Sequence, residues 1–317
     1  MPVTRRNLLL TGLAGLGTAA TLPAWAQAIG SQSDPWAQVD PYDDPRNGFP
    51  SQRAGGAAAQ PQRPAGASPF APGAGEQDEI AIGRAAYPRR IQKGGGACPD
   101  PRIQQALRDF CRPLFAVSNR PALPWTVTMV NARDPNASAG LGGMVIVHGG
   151  LVALFDNPYH LASVMAHEIG HVDLGHMARG NDIGALAEVA RAQGATALGD
   201  QAMEQLLPET RGRVADFMTL MDMTFSREDE AEADAHVIEV FSRAGIDPRL
   251  ASGAMRTILE FERRHGVGAP SEWLTDHPLT PDRIQAMDAL AATRSRPASN
   301  AVLPGWDVLK SAYPTIR

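Results

Sequence analysis

Cysteine is nearly absent from this sequence, with only Cys98 and Cys111 among 317 residues. Two thiols with few histidines near them cannot build a thiolate zinc site. A concentrated basic charge is also missing, since net charge is −5. Neither nucleic acid nor an anionic membrane surface is therefore an expected partner, because both require clustered Lys and Arg. Long apolar runs are lacking as well. The one candidate, from Leu8 to Leu22, is shorter than the ~20 residues that span a bilayer. No internal repeat is visible. What remains is an ordinary globular composition, 44% hydrophobic and 20% charged, enough for one domain with a sizeable core.

The apolar run at the start has a different meaning. Thr4-Arg5-Arg6-Asn7-Leu8-Leu9 precedes it and Pro23-Ala24-Trp25-Ala26 closes it with a small-x-small pattern. Residues 1–26 are read as an export signal, and the paired arginines fit the twin-arginine type, an ordinary secretory signal being the alternative. The mature chain is expected to start near Gln27, to have no transmembrane segment, and to work in the periplasm or outside the cell. Residues 27–76 are rich in Pro, Gly, Ala and Gln. They lack the apolar side chains that offset ordering entropy, so a flexible linker is expected. Trp36, Tyr42 and Phe49 leave open an arm docked on the domain.

The folded domain is expected over residues 77–295, with a tail at 296–317. Glu79 to Arg90 has helical composition, and Gly94-Gly95-Gly96 breaks it. Asp100-Pro101 opens a helix to about Ala116, with Ile103, Leu107, Phe110 and Leu114 on one stripe. Trp125–Val130 and Met144–Val147 read as strands. Helices follow over Gly149–Phe155, from Pro158 to about Met177, over Glu228–Ala244, from Asp247-Pro248 to about Arg264, and over Pro281–Ala292. Interrupted helices over Ile183–Leu207 suggest a lid by their position. Many helices and few strands predict an α+β fold, mostly helical with a small sheet. Export also slightly favours a disulfide between Cys98 and Cys111, with a buried Cys111 thiol and a free Cys98 as the alternative.

The chemistry begins at His167-Glu168-Ile169-Gly170-His171. Histidines four apart on a helix project from one face, one turn apart, so both can ligate one zinc ion at ~2.0–2.1 Å. Glu168 on the adjoining face can reach a water beside the metal. Leu174 and Met177 stand where the metzincin pattern needs Gly and His, which excludes that class. His176 lies off the metal face by about 140° and is expected at the helix end or behind a ligand. Downstream runs Ser226-Arg227-Glu228-Asp229-Glu230-Ala231-Glu232-Ala233-Asp234. Glu230 and Asp234 share a face, so Glu230 can bind zinc and Asp234 can hold the far nitrogen of a ligand histidine. A solvated acidic face suits the same run, and Glu228, Asp229 and Glu232 are read as such a face.

His-Glu-x-x-His followed by Ser-Arg-x-x-Glu-x-x-Ala-Asp resembles the signature of family forty-eight of the metallopeptidases. These gluzincins include CAAX prenyl endopeptidases, the HtpX-like heat-shock protease and periplasmic proteases of outer-membrane quality control. Asn136 to Val147 is similar to the family's Asn-Ala-x-x-x-x-Gly-Gly strand, and His277-Pro278 with Arg283 to its His-Pro and Arg. The resemblance implies a gluzincin-type domain with its sheet beside the active-site helix and one Zn2+ per chain on His167, His171 and Glu230. It implies Glu168 as general base toward a zinc-bound water, and Asp234 behind a ligand histidine. Gly142, Gly143, Met144 and Val145 would lie on a strand, Ala139–Val147, that pairs with extended polypeptide substrate. His277 and Arg283 would contact the oxyanion, His277 having resting zinc ligation as an alternative role. Tetratricopeptide repeats and membrane helices of some relatives are not expected. The implied activity is zinc-dependent endopeptidase action on unfolded polypeptide in envelope quality control. A proteolytically weak, chaperone-like zinc module that binds clients is the competing function, and the intact Glu168 argues against it.

Overall fold

A computed structural model describes residues 74–179, 183, 187, 190, 225–265 and 277–314. The export signal, nearly all of the linker and most of the suggested lid lie outside the described residues. The described part is mostly helical with one small sheet, an α+β domain. Its elements are α1 (Ala74–Lys93), α2 (Pro101–Ala116), β1 (Thr126–Val130), β2 (Ala137–Gly140) and β3 (Met144–His148). There follow α3 (Gly149–Leu154), α4 (Pro158–Asp173), α5 (Arg227–Ala244), α6 (Gly253–His265), α7 (Pro281–Ala292) and α8 (Trp306–Ala312).

Local chemistry sets the helix ends. Asp100 and Asn157 accept from the backbone N–H two residues on, each just ahead of a proline at the first turn. Ser226 and Asp229 form a reciprocal capping box at the start of α5, and Gly245 ends that helix in a left-handed conformation. The α2 stripe of Ile103, Leu107, Phe110 and Leu114 is fully buried. Residues 296–314 are more than a tail. Within them α8 buries Leu309 and brings Trp306 to 6.1 Å from the Phe110 ring.

The sheet has the order β1-β3-β2, with β1 parallel and β2 antiparallel to β3. The expected substrate strand, Ala139–Val147, is thus split between β2 and β3, and its Met144–Val145 part is corrected. Met144 and Val145 belong to the central strand, whose two edges are already paired, so no peptide can be added there. Gly142 and Gly143 form a tight turn between β2 and β3 with φ of 69° and 79°. A side chain at Gly142 would also come within 2.7 Å of the Ile80 Cα, so the turn needs glycine for both conformation and space. Among the described residues, the open edge next to α4 is that of β2. Cys98 and Cys111 are both free and buried, so the expected disulfide is absent. Burial pushes the Cys111 thiol far above its usual range.

Helix α1 is tied down by buried charge. Arg120 donates to Glu79 through both Nη atoms, at 3.1 and 2.7 Å, and also to the Val172 carbonyl. Glu79 Oε1 in turn accepts from Gly142 N–H at 3.2 Å. Removing one member of such a pair strands the other in the interior. Glu79→Ala should therefore cost about 3 kcal/mol of stability. Chemical denaturation checks this, and a change below about 0.5 kcal/mol, as at an ordinary surface position, would show that the pair is not the anchor of α1.

Candidate metal centre

Helices α4 and α5 face each other and carry most of the site. Both lines of the His167/His171 face are buried, as are Glu168, Glu230 and Asp234. Gly170 lies between the histidines, and a Cβ there would meet the Ala233 Cα at 3.1 Å. Small residues at this crossing let Glu230 reach the histidine nitrogens. His277, at the start of the segment leading into α7, is brought into the same cluster and is also buried.

The donors converge. His167 Nε2 and His171 Nε2 are 3.0 Å apart. His277 Nδ1 lies 3.3 Å from His167 Nε2 and 2.8 Å from Glu230 Oε1. Glu230 oxygens stand 3.4 Å from Nε2 of each of His167 and His171. A zinc tetrahedron with bonds of ~2.0–2.1 Å has edges of about 3.3 Å, close to this set. Two neutral imidazoles cannot turn lone pairs on each other at such a distance without a cation or a proton between them. The donor set of nitrogens and a carboxylate therefore fits zinc.

Electrostatics reflect the crowding of these donors around one another. Burial disfavours charge on His167, but Glu230 and Asp234 outweigh it and lift its pKa to about 9. Burial pushes His171 well below its usual value, and positive charge on His167 adds to this. A proton on this pair would occupy the place between the facing nitrogens that a bound cation would take, and zinc would displace it. Glu230 is held far below the usual carboxylate range, against its burial, chiefly by His167. Burial also opposes ionisation of Asp234, but the Arg283 guanidinium beside it prevails and lowers its pKa.

The other expected site residues find distinct partners. Asp234 Oδ1 is 3.1 Å from His167 Nδ1, on the side away from the donors. Glu168 Oε2 accepts from Ala139 N–H of β2 at 2.7 Å, while Oε1 is 3.4 Å from His277 Nε2. Arg283 departs from expectation. Its Nε and Nη2 donate to the two Asp234 oxygens, both at 2.8 Å. Its Nη1 pairs with Glu230 Oε2 at 2.7 Å and donates to the Pro278 carbonyl. A guanidinium committed to two carboxylates and a carbonyl clamps the cluster and has little left for an oxyanion.

The acidic run is solvated at Glu228 and Glu232, as expected, and mostly covered at Asp229. Asp229 and Glu232 both pair with Arg179, and the exposed Glu232 also lies 3.1 Å from His176 Nε2. Phe225, unremarked in the sequence, stacks on His171 with ring centroids 3.7 Å apart. No spacing rule could have found it, because the contact joins distant segments.

Comparison with known proteins agrees. The model of Peptidase family M48 matches residues 100–291. The chain is 31% identical over 210 residues to the beta-barrel assembly-enhancing protease of Escherichia coli (strain K12), covering 62% of this chain and 41% of that protein. To metalloprotease LoiP of the same organism it is 30% identical over 158 residues, 49% of this chain and 58% of LoiP. To the mitochondrial metalloendopeptidase OMA1 of Danio rerio it is 26% identical over 201 residues, 61% and 42% of the two chains. The chain thus spans less than two thirds of the length of each of these relatives. The family match takes in all four donors of the buried cluster and more than half of the sequence, so the chain belongs to peptidase family M48 and is a metallopeptidase.

Proposed function

We propose that the chain is a zinc-dependent endopeptidase that cuts extended or unfolded polypeptide in the periplasm or outside the cell, in the service of envelope protein quality control. The observation that carries this is the 2.7 Å bond from Ala139 N–H to Glu168. It joins the carboxylate beside the donor cluster to the open edge of the sheet. Pairing of β2 with β3 alternates, and His148 N–H donates to the Asn136 carbonyl. Ala137 and Ala139 therefore turn their backbone groups outward. A peptide laid along this edge would take over Ala139 N–H from Glu168 and the Ala139 carbonyl from Arg90, which donates to it at 3.1 Å. Its scissile bond would then lie beside a freed carboxylate. No helix among the described residues is long and apolar enough to cross a membrane. The exported location rests on the sequence of residues 1–26, and the quality-control role on the likeness to the beta-barrel assembly-enhancing protease.

Zinc on His167, His171 and Glu230 would supply a Lewis acid that polarises the scissile carbonyl and acidifies water. Glu168 takes the proton of the attacking water and passes it to the leaving amine. Asp234 keeps the His167 tautomer fixed by accepting from Nδ1–H. Arg283 holds Asp234 and Glu230 in register. His277 turns Nδ1 toward the donors, which favours the role of a resting fourth donor over that of an oxyanion contact.

Purified protein should hold one zinc per chain, and Glu230→Ala or His167→Ala should lose most of it. Full occupancy by elemental analysis in Glu230→Ala would remove Glu230 from the ligand set. Glu168→Gln should retain zinc and fold but lose casein cleavage by ~10²-fold or more. Near-normal turnover in that variant would exclude the mechanism. Casein left intact by zinc-loaded wild type would favour the client-binding module instead. His277→Ala should raise casein cleavage with zinc still bound. A fall of ~10²–10³ would assign the histidine to the oxyanion instead, and unchanged rates and zinc content would exclude it from the site.

A further inference from the structure

His171 gives Nε2 to the donor cluster, so its proton must sit on Nδ1. That Nδ1 lies 2.8 Å from Nδ1 of His176. A ring nitrogen that accepts this proton cannot also carry one, so His176 is protonated on Nε2. Nε2 in turn lies 3.1 Å from Glu232 Oε2 and 3.8 Å from Asp229 Oδ1. The hydrogen bonds therefore run one way, from ligand to neutral imidazole to carboxylate. His176 is 1% exposed, with ring centroids of His171 and Phe225 at 4.9 and 6.2 Å.

The bend of the chain makes this contact. On a continued helix His176 would face about 140° away from His171. Instead α4 ends at Asp173, Gly175 takes φ 66°, and a short turn over His176–Ala178 follows. The left-handed glycine returns the imidazole to the back of His171.

We propose that His176 is a positioning residue for His171, fixing its tautomer and relaying the charge of Glu232 to make it a stronger metal donor. This rests on the zinc reading above. The two ligand histidines are then supported differently. His167 has a buried carboxylate directly behind it, while His171 has a neutral ring backed by a half-exposed carboxylate. The same three groups, His176, Asp229 and Glu232, lie close enough to hold a second cation. Arg179 already pairs with both carboxylates, and the His176 nitrogen on that side bears a proton. The relay is therefore the favoured role.

Zinc affinity by chelator competition tests the proposal on the full chain, with His167→Ala as control. His176→Ala should bind zinc about 10- to 100-fold more weakly than wild type. Glu232→Gln should show a smaller loss, since its carboxylate is partly screened by solvent. The cobalt-substituted Glu232→Gln protein should also show shifted visible absorption bands at unchanged far-ultraviolet circular dichroism. Loss of a contact that merely packs would leave those bands in place. Wild-type zinc affinity and an unshifted cobalt spectrum in Glu232→Gln would overturn the relay, even if His176→Ala failed to fold. Should His167→Ala retain wild-type affinity, the zinc reading itself would fall instead.

Discussion

Gly170 stands between His167 and His171 of the donor cluster, and opposite it stands Ala233, between Glu230 and Asp234. These small residues let α4 and α5 approach until side chains one turn to either side overlap. A glycine inside a helix costs about 1 kcal/mol relative to alanine. Here that cost accompanies an approach in which even one methyl group would meet Ala233 at 3.1 Å. Had the helices been held apart by larger side chains, Glu230 could not stand 3.4 Å from His167 and His171. Asp234 would likewise lose His167. The spacing of the donors is therefore a property of the crossing more than of either helix.

Such a crossing collects charge that a core would otherwise reject. Three histidines and the carboxylates of Glu168, Glu230 and Asp234 lie together with almost no solvent contact. Isolated burial of each would be costly. Arg283 offsets part of this by pairing with both Asp234 and Glu230, and the cation implied by the donor set offsets more. The site is thus organised as alternating charge. Arginine sits outside the carboxylates, the carboxylates outside or among the imidazoles, and the imidazole nitrogens point inward.

Much of this was legible in the sequence because it is local. Helical spacing puts His167 and His171 on one face, and Glu230 and Asp234 on another, whatever surrounds them. Caps and glycine stops likewise depend on a few neighbouring residues, and the helix starts at Pro101, Pro158 and Pro281 follow from them. What was not legible depends on which distant element arrives. Arg283 looked available for an oxyanion because the sequence cannot show that Asp234 lies within its reach. Glu232 is solvated as its surroundings in the chain suggest, but nothing near it announces its contact with His176. The strand pattern at Met144–Val147 is equally apolar whether the strand is central or at an edge, so only the pairing with β1 and β2 moves the open edge to Ala137–Gly140.

That open edge is held from two directions, and its geometry limits what can bind. From one side Glu168 of α4 takes the Ala139 N–H. From the other, α1 reaches over the hairpin. Arg90 donates to Ser138 Oγ and to the carbonyls of Ala139 and Met144, Tyr87 donates to the Val145 carbonyl, and Glu79 accepts from Gly142 N–H. Helix α1 precedes the residues matched by the family model, yet it fixes the strand that faces the donors. A folded substrate has its backbone groups already paired and cannot exchange them for those of Ala139. An extended segment arrives with unpaired N–H and C=O groups and can do so at little net cost. The proposed preference for unfolded polypeptide therefore rests on the hydrogen bonding of one residue, Ala139.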